Sequence, residues 1–82
     1  MEFASSAFRH GITKNQIAQA LAEPARSSYD MADSRRGNLR VMYVGHTHSE
    51  VLIEVGVEYA EDGPRIFHAK KASSHSKRQV RL

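Results

Sequence analysis

The chain has 82 residues, 40% of them apolar and 26% charged, which makes one domain with a single thin core, because a chain this short buries only roughly 60–65% of its unfolded surface. This balance excludes collagen-like, low-complexity and fully disordered chains; no run approaches the ~18 apolar residues of a membrane span, and the absence of cysteine removes disulfides, thiolate metal sites and a thiol nucleophile. The net charge of +3 is segregated, with six basic and four acidic side chains in residues 1–41, none and five in 42–62, and six and none in 63–82, so the chain ends in a basic block that favours nucleic acid or an acidic protein surface.

The first residues lack the apolar stretch of a signal peptide, so a cytoplasmic protein with no membrane partner is expected. In chain order, Ser5 or Ser6 caps a short turn through Phe8 and Arg9 that stops at Gly11. Thr13-Lys14-Asn15-Gln16 fits a capping box. Ile17, Ala18, Ala20 and Leu21 follow at helical spacing and Pro24 ends the run, which predicts a helix over 14–23. An extended segment around 27–31 leads into the turn Asp33-Ser34-Arg35-Arg36-Gly37-Asn38. A strand is expected over 39–44 and a polar loop over 45–50. The clearest strand spans 51–60, where Val51, Ile53, Val55, Val57 and Tyr59 alternate with Leu52, Glu54, Gly56 and Glu58 as a dry face against a wet one. Glu61-Asp62-Gly63-Pro64 turns a hairpin into a last strand over 65–71. Ser73 or Ser74 caps a final turn, and 76–82 has little to bury; the ordered core is expected over about 3–72, with a frayed basic end at 73–82.

A one-residue slip in that hairpin would send every side chain to the other face. A two- or four-residue loop pairs Val57 with His68 and Val55 with Lys70, burying two polar groups. A three-residue loop, Glu61-Asp62-Gly63 with Gly63 in the left-handed bulge position, pairs Val57 with Phe67 and Val55 with Ala69 instead, and is preferred on burial. It sets Glu54 opposite Lys70, Gly56 opposite His68 and Glu58 opposite Ile66 on the wet face. The alternation that buries Leu39, Val41 and Tyr43 adds Arg40 to that face, so two cations are expected to flank the Glu54 carboxylate. Ile17, Leu21, Val41, Ile53, Val55, Val57 and Phe67 form the expected core, in an α+β domain of short N-terminal helices on an antiparallel sheet of three to four strands.

His46 and His48 invite a metal, but an i, i+2 pair chelates only in a bent loop, and a solvated loop is the better reading; no metal is expected. His68 differs, lying inside a strand beside Lys70 and Lys71. Imidazole transfers protons near neutral pH, and Lys and Arg hold a phosphate and stabilise the charge of its transition state. RNA supplies its own nucleophile, the 2′-hydroxyl, so cleavage needs a base, an acid and cations but no cofactor. The candidate catalytic residues are Arg40, Glu54, His68 and Lys70. Arg35, Arg36, Lys71, Lys77 and Arg78 are candidate RNA contacts. The alternative is a non-catalytic module that binds nucleic acid or protein through the same basic face.

Three strings carry a resemblance. Arg9-His10-Gly11-Ile12 resembles the Lys/Arg-His-Gly-Ile/Val element of BrnT-type toxins, Arg40-Val41-Met42-Tyr43-Val44-Gly45 is similar to that family's Arg-led strand ending in Gly, and His68-Ala69-Lys70-Lys71-Ala72 is similar to its closing segment. Their order and spacing agree from about Phe8 to Ala72. The resemblance implies a RelE-like fold and the toxin of a bacterial type II toxin–antitoxin pair. Such a toxin cleaves RNA as a metal-independent endoribonuclease and is silenced by a cognate antitoxin protein, as a homodimer or a toxin–antitoxin hetero-oligomer. It also implies that Arg40 is the family's strand arginine, that Lys70 and Lys71 stand for its Arg-Lys pair, and that His68 stands where many relatives have Ser. The Trp-Asp start of the family is absent.

Overall fold

The β-branched and aromatic runs all find strand partners, and the computed structural model, which describes residues 1–81, is built on one five-stranded sheet. Its elements are β1 (Glu2–Phe3), a 3-10 turn (Ser5–Phe8), α1 (Lys14–Ala22), β2 (Ser27–Asp30), β3 (Leu39–His46), β4 (Leu52–Ala60), β5 (Gly63–Lys71) and α2 (Ser74–Gln79). Across the sheet the order is β1-β5-β4-β3-β2. The pairs from β2 to β5 are antiparallel, while β1 joins β5 in parallel.

The expected α+β arrangement, RelE-like with short N-terminal helices on an antiparallel sheet of three to four strands, is therefore overturned. The sheet is mixed, it has five strands, and the helices ahead of it reduce to one 3-10 turn and the nine residues of α1. The cause lies at the N-terminus, whose polar groups satisfy the outer edge of β5 instead of capping a helix. The Ala4 amide donates to the Ile66 carbonyl at 2.8 Å, and the Ser6 hydroxyl donates to the Phe67 carbonyl at 2.7 Å. No described helix is long and apolar enough to cross a membrane.

The capping box forms as the sequence predicts, with the Gln16 amide donating to Thr13 Oγ1 and the Thr13 amide donating to Gln16 Oε1. The helix lays Ile17 and Ala20 on the sheet, and these join Ala7, Ile12, Ile53, Val55, Val57, Ile66 and Ala69 in one core. Close approach depends on Gly45, where a Cβ would lie 2.5 Å from the Ala20 carbonyl oxygen.

The β4–β5 register departs from expectation at one point. The loop is two residues, Ala60 pairs with Gly63, and Val57 pairs with Ile66, yet Gly56 still faces His68 and Glu54 still faces Lys70, because Phe67 bulges out between Ile66 and His68. The bulge lets Ile66, fully buried, take the core place expected of Phe67 while keeping His68 and Lys70 off the dry face. Phe67 instead lies over Gly56 on the second face, where a Cβ would come 2.8 Å from its ring. Glu58 accordingly faces Arg65 rather than Ile66.

The second face is also not wet throughout. Glu54 and Gly56 are buried, because Phe67 covers one and α2 the other. Over its described residues the basic end forms α2: Ser73 caps it by accepting from the Ser76 amide, Ser76 is fully buried, and its hydroxyl meets the Tyr29 hydroxyl at 2.7 Å. Residue 82 lies outside the described residues.

Candidate active site

Strand alternation puts Arg40, Met42 and Val44 of β3 on the same face as Glu58, Gly56 and Glu54 of β4. On that face the hairpin brings His68 beside Glu54, and the His68 Nε2–H donates to Glu54 Oε2 at 2.7 Å. The other carboxylate oxygen accepts the Ser73 amide at 2.8 Å. Burial pushes the Glu54 carboxyl up. The Ser73 amide, His68 and the hydroxyls of Ser76 and Ser73 outweigh burial and hold it below its ordinary value.

A charged carboxylate can only accept, so it fixes the tautomer of its partner. The proton of neutral His68 sits on Nε2, and Nδ1 carries a free lone pair. Only a quarter of the His68 side chain is open to solvent. The ring of His10 stands edge-on to it with centroids 5.8 Å apart, brought there by the 3-10 turn that crosses the edge of β5. Sequence reasoning missed His10 as a site residue, although the Arg9-His10-Gly11-Ile12 string contains it and no residue type suits proton transfer better.

The expected cations are distributed differently. Lys70 faces Glu54 across the β4–β5 ladder, but the carboxylate is held by His68 and Ser73. Arg40 shares the face, yet its cross-strand partner is Glu58, four residues along β4 from Glu54, so the two cations do not flank one carboxylate. Its Nε–H donates to the Ala32 carbonyl at 2.8 Å, and its guanidinium lies 5.4 Å from the centroid of Phe67. Phe67 in turn lies 6.5 Å from the His68 ring. The Phe67 ring thus lies near both Arg40 and His68.

Among the remaining candidates, Lys71 pairs with Ile53 and belongs to the opposite face at the end of β5. Arg35 and Arg36 lie exposed in the turn before β3, with Arg36 in a polar groove beside Asn38, Glu61 and Asp62. Lys77 and Arg78 are exposed in the last turn of α2.

His46 is not in a solvated loop. It ends β3, its amide donates to Glu23 Oε2, and its Nδ1 lies 3.0 Å from Glu23 Oε1. The His48 amide donates to Gln19 Oε1 at 2.9 Å. Both fasten the β3–β4 connection to α1. Among the described residues no three His, Asp or Glu side chains are grouped to hold a metal ion.

No protein-family model and no curated protein matches this chain.

Proposed function

We propose that the chain is a metal-independent endoribonuclease that cuts RNA through the 2′-hydroxyl, and that it serves as the toxin of a type II toxin–antitoxin pair of the BrnT kind, silenced by its cognate antitoxin. The observation that carries the reading is the Glu54–His68 pair, a buried carboxylate that fixes an imidazole with its free nitrogen available as a base. His68 Nδ1 takes the proton of the 2′-hydroxyl as that oxygen attacks the adjacent phosphorus. The bond from phosphorus to the 5′-oxygen breaks, leaving a 2′,3′-cyclic phosphate, and the departing 5′-oxygen takes a proton from protonated His10. Lys70 stabilises the charge that builds on the non-bridging oxygens, and Arg40, beyond Phe67, holds a neighbouring phosphate.

The pair of imidazoles favours catalysis over simple binding, because phosphate contacts need charge but not a carboxylate-oriented base. The test is to express the chain alone, follow growth and RNA integrity, and repeat the cleavage with purified protein in EDTA. Growth arrest with RNA fragments that end in cyclic phosphate is the expected result. Intact RNA with retained RNA binding would leave the binding module as the correct reading.

A further inference from the structure

The second face carries a cleft of about 440 Å³ between α2 and the β2–β3 edge, lined by Tyr29, Met31, Arg40, Met42, Glu54 and His75 among others. His68 is not one of its walls, so proton transfer does not account for it. Its volume suits one small ligand, since pockets for such ligands begin at roughly 300 Å³.

Three features define what fits. Arg40 is fixed by the Ala32 carbonyl and by Phe67, and among the described residues its terminal nitrogens have no protein acceptor, which leaves a pre-set fork for an anion. Tyr29 and His75 meet edge to face with centroids 5.9 Å apart, and the Tyr29–Ser76 hydroxyl contact steadies this aromatic wall. Glu54, the carboxylate that orients His68, also lines the cleft and couples it in space to the cutting site, but its oxygens are taken by His68 and the Ser73 amide. The acceptor open to a ligand is the exposed carboxylate of Asp30, which lines the cleft as well. An anion fork, an aromatic wall and an acceptor in one cleft match a nucleotide: phosphate, base plane and the N–H groups of a base edge.

We propose that this cleft holds the base of a nucleotide next to the cleaved phosphate, stacked on the Tyr29–His75 wall with its phosphate on Arg40. The proposal rests on the RNA-cleavage reading and deepens it, because a base can enter only when splayed from a helix; the substrate is single-stranded RNA.

The test is a 1H–15N NMR titration of the full chain with AMP, GMP, CMP and UMP, with ribose 5-phosphate as the base-free probe. Saturable shifts are expected at the amides of residues 29–32 and 73–76. At least one nucleotide should bind more tightly than ribose 5-phosphate by about five-fold or more, the low end of base stacking on an aromatic side chain. His75 is exposed, so His75→Ala should fold normally, erase that difference and leave the affinity for ribose 5-phosphate unchanged. Arg40→Gln should weaken both classes of probe. Equal binding of nucleotides and ribose 5-phosphate by the wild type, or shifts confined to Lys77 and Arg78, would overturn the proposal. Nucleotides that bind in the cleft of a chain that cuts no RNA overturn the catalytic reading alone. Cleavage by a chain whose cleft binds no nucleotide overturns the cleft alone.

Discussion

Glu54 does two things with one carboxylate, and each can be measured. Glu54→Gln keeps an acceptor for the Ser73 amide but turns an N–H toward His68 Nε2, which must then accept; the ring proton moves to Nδ1 and the base is lost. Cleavage should fall by about 10²–10⁴-fold, the range expected when a general base is removed or held in the wrong tautomer, while circular dichroism stays native. His10→Ala should slow the release of the 5′-oxygen and be partly rescued by an RNA analogue with a better leaving group; His68→Ala should show no such rescue. A pH effect on folding follows as well. The folded carboxyl of Glu54 lies below its ordinary value of 4.5, held down against burial by the Ser73 amide, His68 and two serine hydroxyls. Its stabilisation is therefore complete above pH 4.5 and is lost as pH falls through the lower folded value. Urea midpoints measured from pH 7 to pH 3 should drop at the acid end, and Glu54→Gln should flatten that drop. The facing of Glu54 toward Lys70 is expected from a three-residue loop, whereas it arises from a two-residue loop whose shift the Phe67 bulge offsets. The burial of Glu54 was not legible in the sequence, because the cover comes from a serine-rich segment with no apolar pattern.

Among the elements, the β4–β5 hairpin shows how a local irregularity changes a site. The alternation from Val51 to Tyr59 marks β4 unambiguously, and the capping box and Pro24 mark α1. Neither reveals that β5 contains a bulge. The signal that could have done so is Gly56, since a glycine inside a strand pattern marks a bulge or a close approach; here it admits the ring of Phe67. Gly56→Ala should push that ring aside, unseat Arg40 and weaken RNA binding, at a stability cost of about 1–3 kcal/mol for a contact against a movable side chain. Gly45→Ala should cost more, because the added carbon meets the Ala20 carbonyl of α1, and backbone can yield only by lifting the helix from the core. The comparison of the two melting temperatures tests the difference. Val55 is fully buried in the core, and Val55→Asp should leave no cooperative melt, since an unpaired charge there exceeds the margin of a small domain.

For the whole molecule, the segregated charge is legible in the sequence but its placement is not, because a two-residue strand at the N-terminus and a six-residue helix at the C-terminus have no period to detect. The basic residues separate accordingly. Arg40 and Lys70 face the cleft side, Lys71 belongs to the opposite face, and Arg35 and Arg36 mark the turn before β3. Lys77 and Arg78 ride on α2, which itself walls the cleft through Ser73, His75, Ser76 and Gln79. Under the proposed reading RNA runs from Arg40 past Phe67 to His68. Lys77 and Arg78 are exposed on α2 but are not among the α2 residues that wall the cleft, and contact by all four of Arg40, Lys70, Lys77 and Arg78 is what the salt dependence tests. Single-stranded binding releases about 0.7 counterions per neutralised phosphate, so a plot of log affinity against log salt should have a slope of about −3. Changing Lys77 and Arg78 together to Gln should reduce its magnitude by about 1.4. Removing residues 74–82 is a different operation, because it also strips Ser76 from Tyr29 and uncovers Glu54. The truncated chain should melt at lower temperature and lose cleavage even at low salt, whereas the Gln variant should melt like the wild type and regain near-normal binding when salt is reduced. A salt slope unchanged by the Gln substitutions would place the RNA away from α2.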